Sequence, residues 1–539
     1  MDMKIRHYIA AFLISVGSSS CEDFLSTEPT NFVAPTYNTI AELETGLTGV
    51  YDVLGSRMFY GDNWPFFLNV GTDLGYSRYG SQDITAYVIT PGDRYVTEFW
   101  KTLYQGIFRA NLVLARVDNP SLDETRRNEI KGQALFLRAY YYFMLVSNFG
   151  DVPLLQTDKP SIDNVNVPRT PSREIYAMIV KDMEAAEQLV IDASKLAGGG
   201  RVSKSAVQGI LARVHLTMAG APLRIESSYA EALKWAKKVK DQNFHQLNPD
   251  YSQVFINYAQ NKYDIKESIW EVEFYGRLSE NSAEFNYFIG QRAGLYSENE
   301  ALGFSGGAIR ATKYLWDLYA LDPNSTTTPP TPPATVPVPQ KSLDLRRDWT
   351  IAPYIISAAG VKVQDNDVWR KTMGKWRREY EASGKDRTVS DQNFPILRYS
   401  DVLLMLAEAE NAVNGPTSVA YEAINEVRRR AYGLYLPVPP NPGVNADLTP
   451  NLNPDEFFQA IKEERARELA FEALRRPDLI RWGILYERLK EYRAWAMIQP
   501  GYAAGLVLAP TNVAPNHVLL PIPTADLSLN KALTQNPGY

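Results

Sequence analysis

The sequence predicts a mostly α-helical protein in which pairs of helices support long irregular loops. Apolar residues recur at spacings of three and four over much of the chain, as expected for helices with one buried face, for example at Ile40, Leu43, Leu47, Val50 and Leu54. Short turns rich in Gly and Pro separate several of these segments, and other stretches have no period at all. These observations favour a helical scaffold whose loops carry the function.

The periodic segments predict helices over residues 40–54, 99–114, 130–146, 172–190, 203–218, 229–240, 401–413 and 417–430. Two pairs are joined by the short turns Gly220-Ala221-Pro222 and Asn414-Gly415-Pro416. Pairs of this kind, with small residues at the contacts, resemble tetratricopeptide units whose period is not regular.

A further helix begins at Asn453-Pro454-Asp455-Glu456. Asn can cap a helix, Pro suits its first position, and Glu456 stands at the capping-box position three residues after the cap. We expect this helix to continue through Glu468 to about Leu474.

Composition excludes several classes of function. The chain has 539 residues and a net charge of −6, which argues against a nucleic-acid-binding protein. Its single cysteine excludes an intrachain disulfide and a cysteine-based metal site. There are four histidines, and His215, within an apolar segment, is predicted to be a core residue.

The first twenty residues are typical of a signal peptide. Lys4 and Arg6 precede an apolar run over residues 8–16, and small residues then lead to Cys21. The only cysteine at this position indicates a bacterial lipoprotein, with residues 1–20 removed and Cys21 lipidated, although Ser18 stands where such signals prefer Leu. The protein is therefore expected to be anchored to a membrane without spanning it.

Between the helical blocks lie long loops. Residues 60–94 and 291–307 are rich in Gly, Tyr and Asp, and residues 323–340 alternate Pro and Thr, which excludes a helix or a central strand. We expect the Pro/Thr segment to form an exposed extended loop.

Several motifs in order along the chain resemble the SusD/RagB family of surface nutrient-binding lipoproteins. The most specific stretch is Glu464-Arg465-x-Arg467-Glu468-Leu469-x-Phe471-Glu472, continuing to Arg481-Trp482-Gly483. The other matching blocks are residues 132–143, 149–154, 169–176, 182–186, 394–409, 520–523 and 535–539. One departure is Ala473, where the family commonly has Gly; because Ala is the better helix former, we expect no effect on the fold. The Pro/Thr loop resembles a local insertion.

The resemblance implies a SusD-like fold, with an N-terminal region over residues 21–290 and a C-terminal region over residues 291–539. It also implies a lipid-anchored protein on the outside of the outer membrane, without enzymatic activity or cofactor. Such proteins capture oligosaccharides, or peptides in some branches, and deliver them to a SusC-like TonB-dependent transporter.

Aromatic residues in the loops are the candidates for ligand binding. Sugars present flat C–H faces that stack on rings and hydroxyl groups that pair with planar polar side chains. Two loops offer both kinds of group, and the candidate residues are Asp73, Tyr76, Arg78, Tyr79, Tyr296 and Asn299. Trp64, Tyr87 and Trp369 are further candidates, whereas Trp316 lies in a periodic stretch and is predicted to be core.

Other interpretations remain open at this point. The Glu464–Arg481 cluster is interpreted as a structural ion network on a packed helix, and the glycines at 303, 306 and 307 as a turn beside the ligand loops. A peptide-binding member of the same family, a glycan-cleaving enzyme and a periplasmic scaffold are alternatives. A calcium ion in a loop would leave little trace in the sequence.

Overall fold

The apolar periodicity of the sequence corresponds to a scaffold of helices. The computed structural model describes residues 37–79, 83–159, 165–274, 288–328, 337–382, 387 and 390–539. The helices are α1 Ile40–Gly55, α2 Arg94–Leu114, α3 Glu124–Phe149, α4 Ser172–Leu189, α5 Lys204–Ala219, α6 Ser228–Asp241, α7 Tyr251–Ala259, α8 Ile289–Ala293, α9 Lys313–Asp317, α10 Arg347–Thr350, α11 Tyr399–Asn414, α12 Ser418–Ala431, α13 Pro454–Leu469, α14 Arg475–Arg481, α15 Leu485–Met497, α16 Leu508–Asn512 and α17 Thr524–Leu529. The predicted mostly α fold is confirmed.

Successive helices pack against each other along the chain. From α1 to α6, each helix packs on the next helix in the chain. Helix α6 also packs on α11, and α11 packs on α12 and α13. This order fits the helix pairs expected from the sequence. The buried faces match the periodic residues: in α5, for example, Ile210, Leu211 and Val214 are fully buried.

Strands are short and form three antiparallel pairs. The strands are β1 Gly75–Ser77, β2 Ser268–Val272, β3 Ile309–Ala311, β4 Tyr354–Ile356, β5 Lys362–Gln364 and β6 Phe394–Arg398. β1 pairs with β3, β2 with β6, and β4 with β5. The first two pairs join segments from either side of residue 290, and residues 38–539 form one unit.

The start of α13 is as predicted, but its end is not. Asn453 accepts hydrogen bonds from the backbone of Asp455 and Glu456, and the Glu456 side chain accepts one from the Asn453 backbone, which completes the capping box. The helix ends at Leu469, five residues earlier than expected, and α14 follows after a turn. Phe471 and Ala473 have φ values of 66° and 60° in that turn. Because a left-handed residue cannot continue a right-handed helix, the expectation that Ala473 acts as a helix former was wrong.

The charged residues of α13 belong to a buried ion network, as the sequence analysis inferred. Glu468 accepts hydrogen bonds from Arg398 at 2.9 Å, Arg430 at 2.6 Å and Arg346 at 2.9 Å. Arg398 also pairs with Glu267 and Glu472. Burial alone would raise the pKa of Glu468, but these arginines hold it well below its usual range. The network connects α13 to β6, to α12 and to the residues that directly precede β2 and α10.

Other sequence predictions have mixed outcomes. Trp316 and His215 are buried, as expected, and burial lowers the pKa of His215 to about 4.

At the base of the Pro/Thr loop, Leu321 is paired with Ser342 and Thr328 with Val338 in antiparallel bridges, while residues 329–336 lie outside the described part. The signal peptide and Cys21 also lie outside the described residues. Among the residues that are described, no helix is both long and apolar enough to cross a membrane.

Candidate functional site

The two Gly- and Tyr-rich loops predicted to bind ligand lie side by side. The backbone N–H of Arg78 donates to the Ala308 carbonyl at 2.8 Å, and the N–H of Ala308 donates to the Arg292 carbonyl at 2.8 Å. The loop that follows α8 is fixed further by Ser297, which pairs with Ser305 and with Ile356. Segments far apart in the sequence therefore form one surface at the end of β1.

A guanidinium group lies close to two tyrosine rings on this surface. The Cζ atom of Arg78 is 5.1 Å from the ring centre of Tyr79 and 5.3 Å from that of Tyr296. Tyr79 is 60% exposed. The Tyr296 hydroxyl donates to Glu298 at 2.7 Å, and this hydrogen bond is the main reason that the pKa of Tyr296 is raised. We call Arg78, Tyr79 and Tyr296 the ring cluster.

The glycine turn lies next to both rings. A Cβ atom on Gly307 would lie 2.9 Å from the Cβ of Tyr296, and the residue has a φ of 53°. A Cβ on Gly306 would lie 3.5 Å from the Tyr79 hydroxyl. Only glycine allows both the left-handed backbone at 307 and this close approach to Tyr296. The contacts with Tyr296 and Tyr79 place the turn beside the ligand loops, as expected.

Asp73 and Tyr76 lie beneath the surface. Asp73 is fully buried and pairs with Arg475 at 2.7 Å and Arg488 at 2.8 Å. Burial would raise its pKa, but the two arginines lower it to about 2. Tyr76 is 8% exposed, and its hydroxyl donates to the Trp369 carbonyl. Both side chains hold the loop in place rather than facing solvent.

Asn299 is half-buried and uses its amide to shape its own loop. Its Nδ2 donates to the Ala358 carbonyl at 2.9 Å, and its Oδ1 accepts from the Leu302 backbone at 2.8 Å. Of the six predicted ligand residues, the structure therefore brings Arg78, Tyr79 and Tyr296 together at the surface and places the other three as support.

The three additional aromatic candidates are core residues. Trp64 stacks on Phe99 with ring centres 5.3 Å apart. The Trp369 indole donates to the Pro500 carbonyl at 2.7 Å. Tyr87 packs in the cluster around Leu479 and Leu489. All three are 5% exposed, so none presents a ring to this surface.

Sequence reasoning missed aromatic and basic groups that lie on the adjoining segments. The Arg387 guanidinium lies 4.3 Å from the ring centre of Phe304 and pairs with Glu300. Arg292 lies 4.8 Å from the ring centre of Phe288 and 5.3 Å from that of Phe67. The four-residue spacing of Phe288 and Arg292 was a local signal, but the other contacts join distant segments. Within the described ranges, no group of three or more His, Cys, Asp or Glu residues could hold a metal ion.

Comparison with known families decides the classification. The family model described as "SusD family" matches residues 266–539, and a second model, "Starch-binding associating with outer membrane", matches residues 23–216. The chain belongs to the SusD family. The two matched regions together account for nearly all of the sequence, as the ordered motifs predicted.

Individual SusD-like proteins are similar over most of their length. "SusD-like protein P25" of Formosa agariphila is 28% identical over the full length of both chains. "Starch-binding protein SusD" of Bacteroides thetaiotaomicron is 26% identical over 85% of this chain and 82% of its own length. The crystal structure of a SusD homologue from Bacteroides thetaiotaomicron has a TM-score of 0.81 at 27% identity and covers 93% of this chain and 97% of its own. The SusD-like fold predicted from the sequence is confirmed.

Proposed function

We propose that this protein binds an oligosaccharide on the surface formed by the ring cluster. The observation that carries the proposal is the position of two tyrosine rings close to the same arginine, with one ring largely exposed. Rings accept the C–H faces of sugars, and a guanidinium donates several hydrogen bonds in one plane, which suits adjacent hydroxyl groups.

The neighbouring groups support a polyol ligand. Glu298 is exposed and already accepts one hydrogen bond from Tyr296, so its second oxygen can accept from a sugar hydroxyl. The supporting residues Asp73, Tyr76 and Asn299 are fixed by buried or loop hydrogen bonds. A surface whose rings are held before the ligand arrives loses less entropy on binding.

The relatives support the same ligand class. SusD of Bacteroides thetaiotaomicron is named as starch-binding, and one of the two matching family models is described in the same terms. We further propose that the protein is lipid-anchored at Cys21 on the outer face of the outer membrane. There it would deliver its ligand to a SusC-like TonB-dependent transporter, without cleaving it.

A glycan-array screen of the chain lacking residues 1–21, followed by calorimetry on each hit, tests the proposal. The Tyr79→Ala/Tyr296→Ala variant should weaken binding at least tenfold, about 1.4 kcal/mol, because both stacking surfaces are removed. Tyr435→Ala is the matched control, since Tyr435 is also exposed, at 38%, but lies on the loop after α12. Its affinity should equal that of the wild type.

Other outcomes would redirect the proposal. Unchanged affinity in the double variant would exclude the ring cluster as the binding site. A blank glycan array with binding to peptides would favour the peptide-binding alternative, for which strand β5 is suited: its residues are exposed, and β4 is its one partner among the described strands. Release of new reducing ends from a bound glycan would contradict the non-catalytic assignment.

A further inference from the structure

A second site is present in the helical scaffold, away from the ring cluster. A cavity of about 440 Å³ lies between α3, α5, the turn that precedes α14, and the C-terminal residues 518–537. None of the residues of the ring cluster lines it. Its volume falls within the range of about 300–1,000 Å³ that is typical of small-molecule pockets.

Most of the surface that lines the cavity is apolar. Phe143, Met144, Leu216 and Leu474 are among the side chains of the wall. Of the other lining residues, Arg169 and Ser172 are half-buried, while Pro222 and Pro537 are exposed. The cavity therefore offers both hydrocarbon surface and polar groups to a bound molecule.

Hydrogen-bond donors without acceptors line the same cavity. The hydroxyls of Tyr60 and Tyr140, which are 3% and 1% exposed, bond to each other. One shared bond uses one of the two hydroxyl hydrogens, and the described residues offer no acceptor for the other. Burial raises the pKa of both phenols, to about 12 for Tyr140, so both remain protonated and the unused hydrogen needs an acceptor.

Arg213 adds a further unused donor and a positive charge. Its Nη2 atom donates to the Ile396 carbonyl and to Asp401, while its buried Nε atom has no partner in the described part of the chain. Its charge acts on both phenols, where it opposes the effect of burial on their pKa. Tyr60, Tyr140 and Arg213 therefore form one donor group, and all three line the cavity.

The balance of charge around the cavity favours an anion. Of the five arginines that line it, Arg213, Arg465 and Arg481 pair with carboxylates, whereas Arg169 and Arg476 have no carboxylate partner among the described residues. Arg476 is 2% exposed, and its hydrogen bonds go to the His517 carbonyl and Asn148 rather than to a described carboxylate. Since a buried charge without a counter-ion is costly, a negative group in the cavity would lower the free energy of the folded state.

We propose that this cavity binds a small amphipathic carboxylate. Its carboxylate would accept the unused hydrogen of the Tyr60–Tyr140 pair and a hydrogen bond from Nε of Arg213, and its hydrocarbon part would lie against the apolar wall. A neutral polyol is disfavoured there because most of its hydroxyls would be left without partners. This site is independent of the glycan site and does not rest on the proposed function.

Calorimetry of the chain lacking residues 1–21 at pH 7.5, with sodium decanoate as the probe, tests the proposal. We expect one decanoate per chain and a raised Tm, and binding at least tenfold weaker for 1-decanol, which has the same tail without the charge. Tyr60→Phe/Tyr140→Phe should weaken decanoate binding at least tenfold. Tyr258→Phe is the matched control, because its hydroxyl is buried and has no hydrogen-bond partner in the described part of the chain, but does not line the cavity.

A second variant keeps the test decisive if the double Phe variant does not fold. Ser147→Trp places an indole in the cavity from a half-buried position on α3 and should abolish decanoate binding while helicity stays unchanged. The proposal is overturned if decanoate does not bind at millimolar concentration, if decanol binds equally well, or if a folded Ser147→Trp variant still binds decanoate. Glycan binding should be unaffected by Ser147→Trp.

Discussion

Tyr76 and Tyr79 are three residues apart on one loop but have different surroundings. Tyr76 lies under the surface with its hydroxyl on a backbone carbonyl, whereas Tyr79 is 60% exposed beside Arg78. Replacing Tyr76 by Ala would remove a buried ring and destabilise the fold, so the ring variants that report on binding are those at Tyr79 and Tyr296. The role of each tyrosine is decided by what surrounds it and not by its type.

Ala473 is the residue whose backbone contradicts the sequence interpretation, and it gives a direct prediction. Ala473→Gly should leave the free energy of unfolding within about 0.5 kcal/mol of the wild type. The relief of a left-handed alanine, about 1–2 kcal/mol, offsets the lost methyl group and the greater entropy of glycine in the unfolded chain. Ala460→Gly, within α13, should instead lower stability by about 1 kcal/mol. Equal losses in urea unfolding of the two variants would contradict the left-handed assignment.

Helix α13 has a charged face that is buried among ion pairs. Glu464 and Glu468 are completely buried, and they pair with arginines of α12 and β6 and with Arg346, which directly precedes α10. Burial would raise the pKa of Glu464, but Arg346, Arg467 and Arg428 lower it to about 2. Asp401 on α11 and Asp73 before β1 have the same pKa for the same reason. The elements are thus joined by carboxylates that must stay ionised.

These lowered pKa values predict where acid weakens the fold. A carboxylate with a lowered folded-state pKa contributes its full stability above its unfolded pKa, about 4, and loses it as the pH falls towards 2. Each such group should account for about 2 kcal/mol, measured by urea unfolding between pH 5 and pH 2.5. Burial raises the pKa of Glu271 from 4.5 to about 7. Ionisation of this group therefore lowers the stability of the folded state as the pH rises above 4.5.

Two variants check this assignment. Asp73→Asn should reduce the loss of stability between pH 5 and pH 2.5, because one of the ionised groups has been removed. Exposed Asp241→Asn should retain the wild-type loss. A pH dependence that is the same in all three proteins would show that Asp73 does not titrate in this window.

At the scale of the whole molecule, the helices form a scaffold for two separate features. The ring cluster lies on loops attached to β1 and α8, and the cavity lies between α3 and α5. Arg475 and Arg488, from α14 and α15, reach Asp73 at the base of the ring cluster loop. The proposed lipid anchor would hold this scaffold at the membrane through the N-terminal end.

The anchor leads to a prediction for the intact protein in a bacterial host. Cys21→Ser should move the protein from the membrane fraction to the soluble fraction and abolish incorporation of labelled palmitate, because the thiol that carries the lipid is absent. Ser20→Ala, which retains a small residue before Cys21, is the control and should remain in the membrane fraction. Palmitate labelling of the Cys21→Ser protein would contradict anchoring at this residue.

The sequence by itself determined the positions of nine helices, α1–α6 and α11–α13, together with the α13 cap and the family. Each depends on local spacing: three- and four-residue periodicity for the helices, Asn453 and Glu456 for the cap, and ordered motifs for the family. The alternation of Arg and Glu on α13 also indicated an ion network, because such a face on a packed helix must be paired.

Only the tertiary structure decided which loop residues face solvent and which support the loop. Asp73 pairs with Arg475 and Arg488, which lie 402 and 415 positions later in the chain. The Tyr76 hydroxyl donates a hydrogen bond to the carbonyl of Trp369, 293 positions later. No local pattern records such contacts. The end of α13 and the cavity also depend on the tertiary structure, because both the left-handed turn and the enclosed space arise from how distant segments pack. The burial that results then determines the chemistry of each side chain.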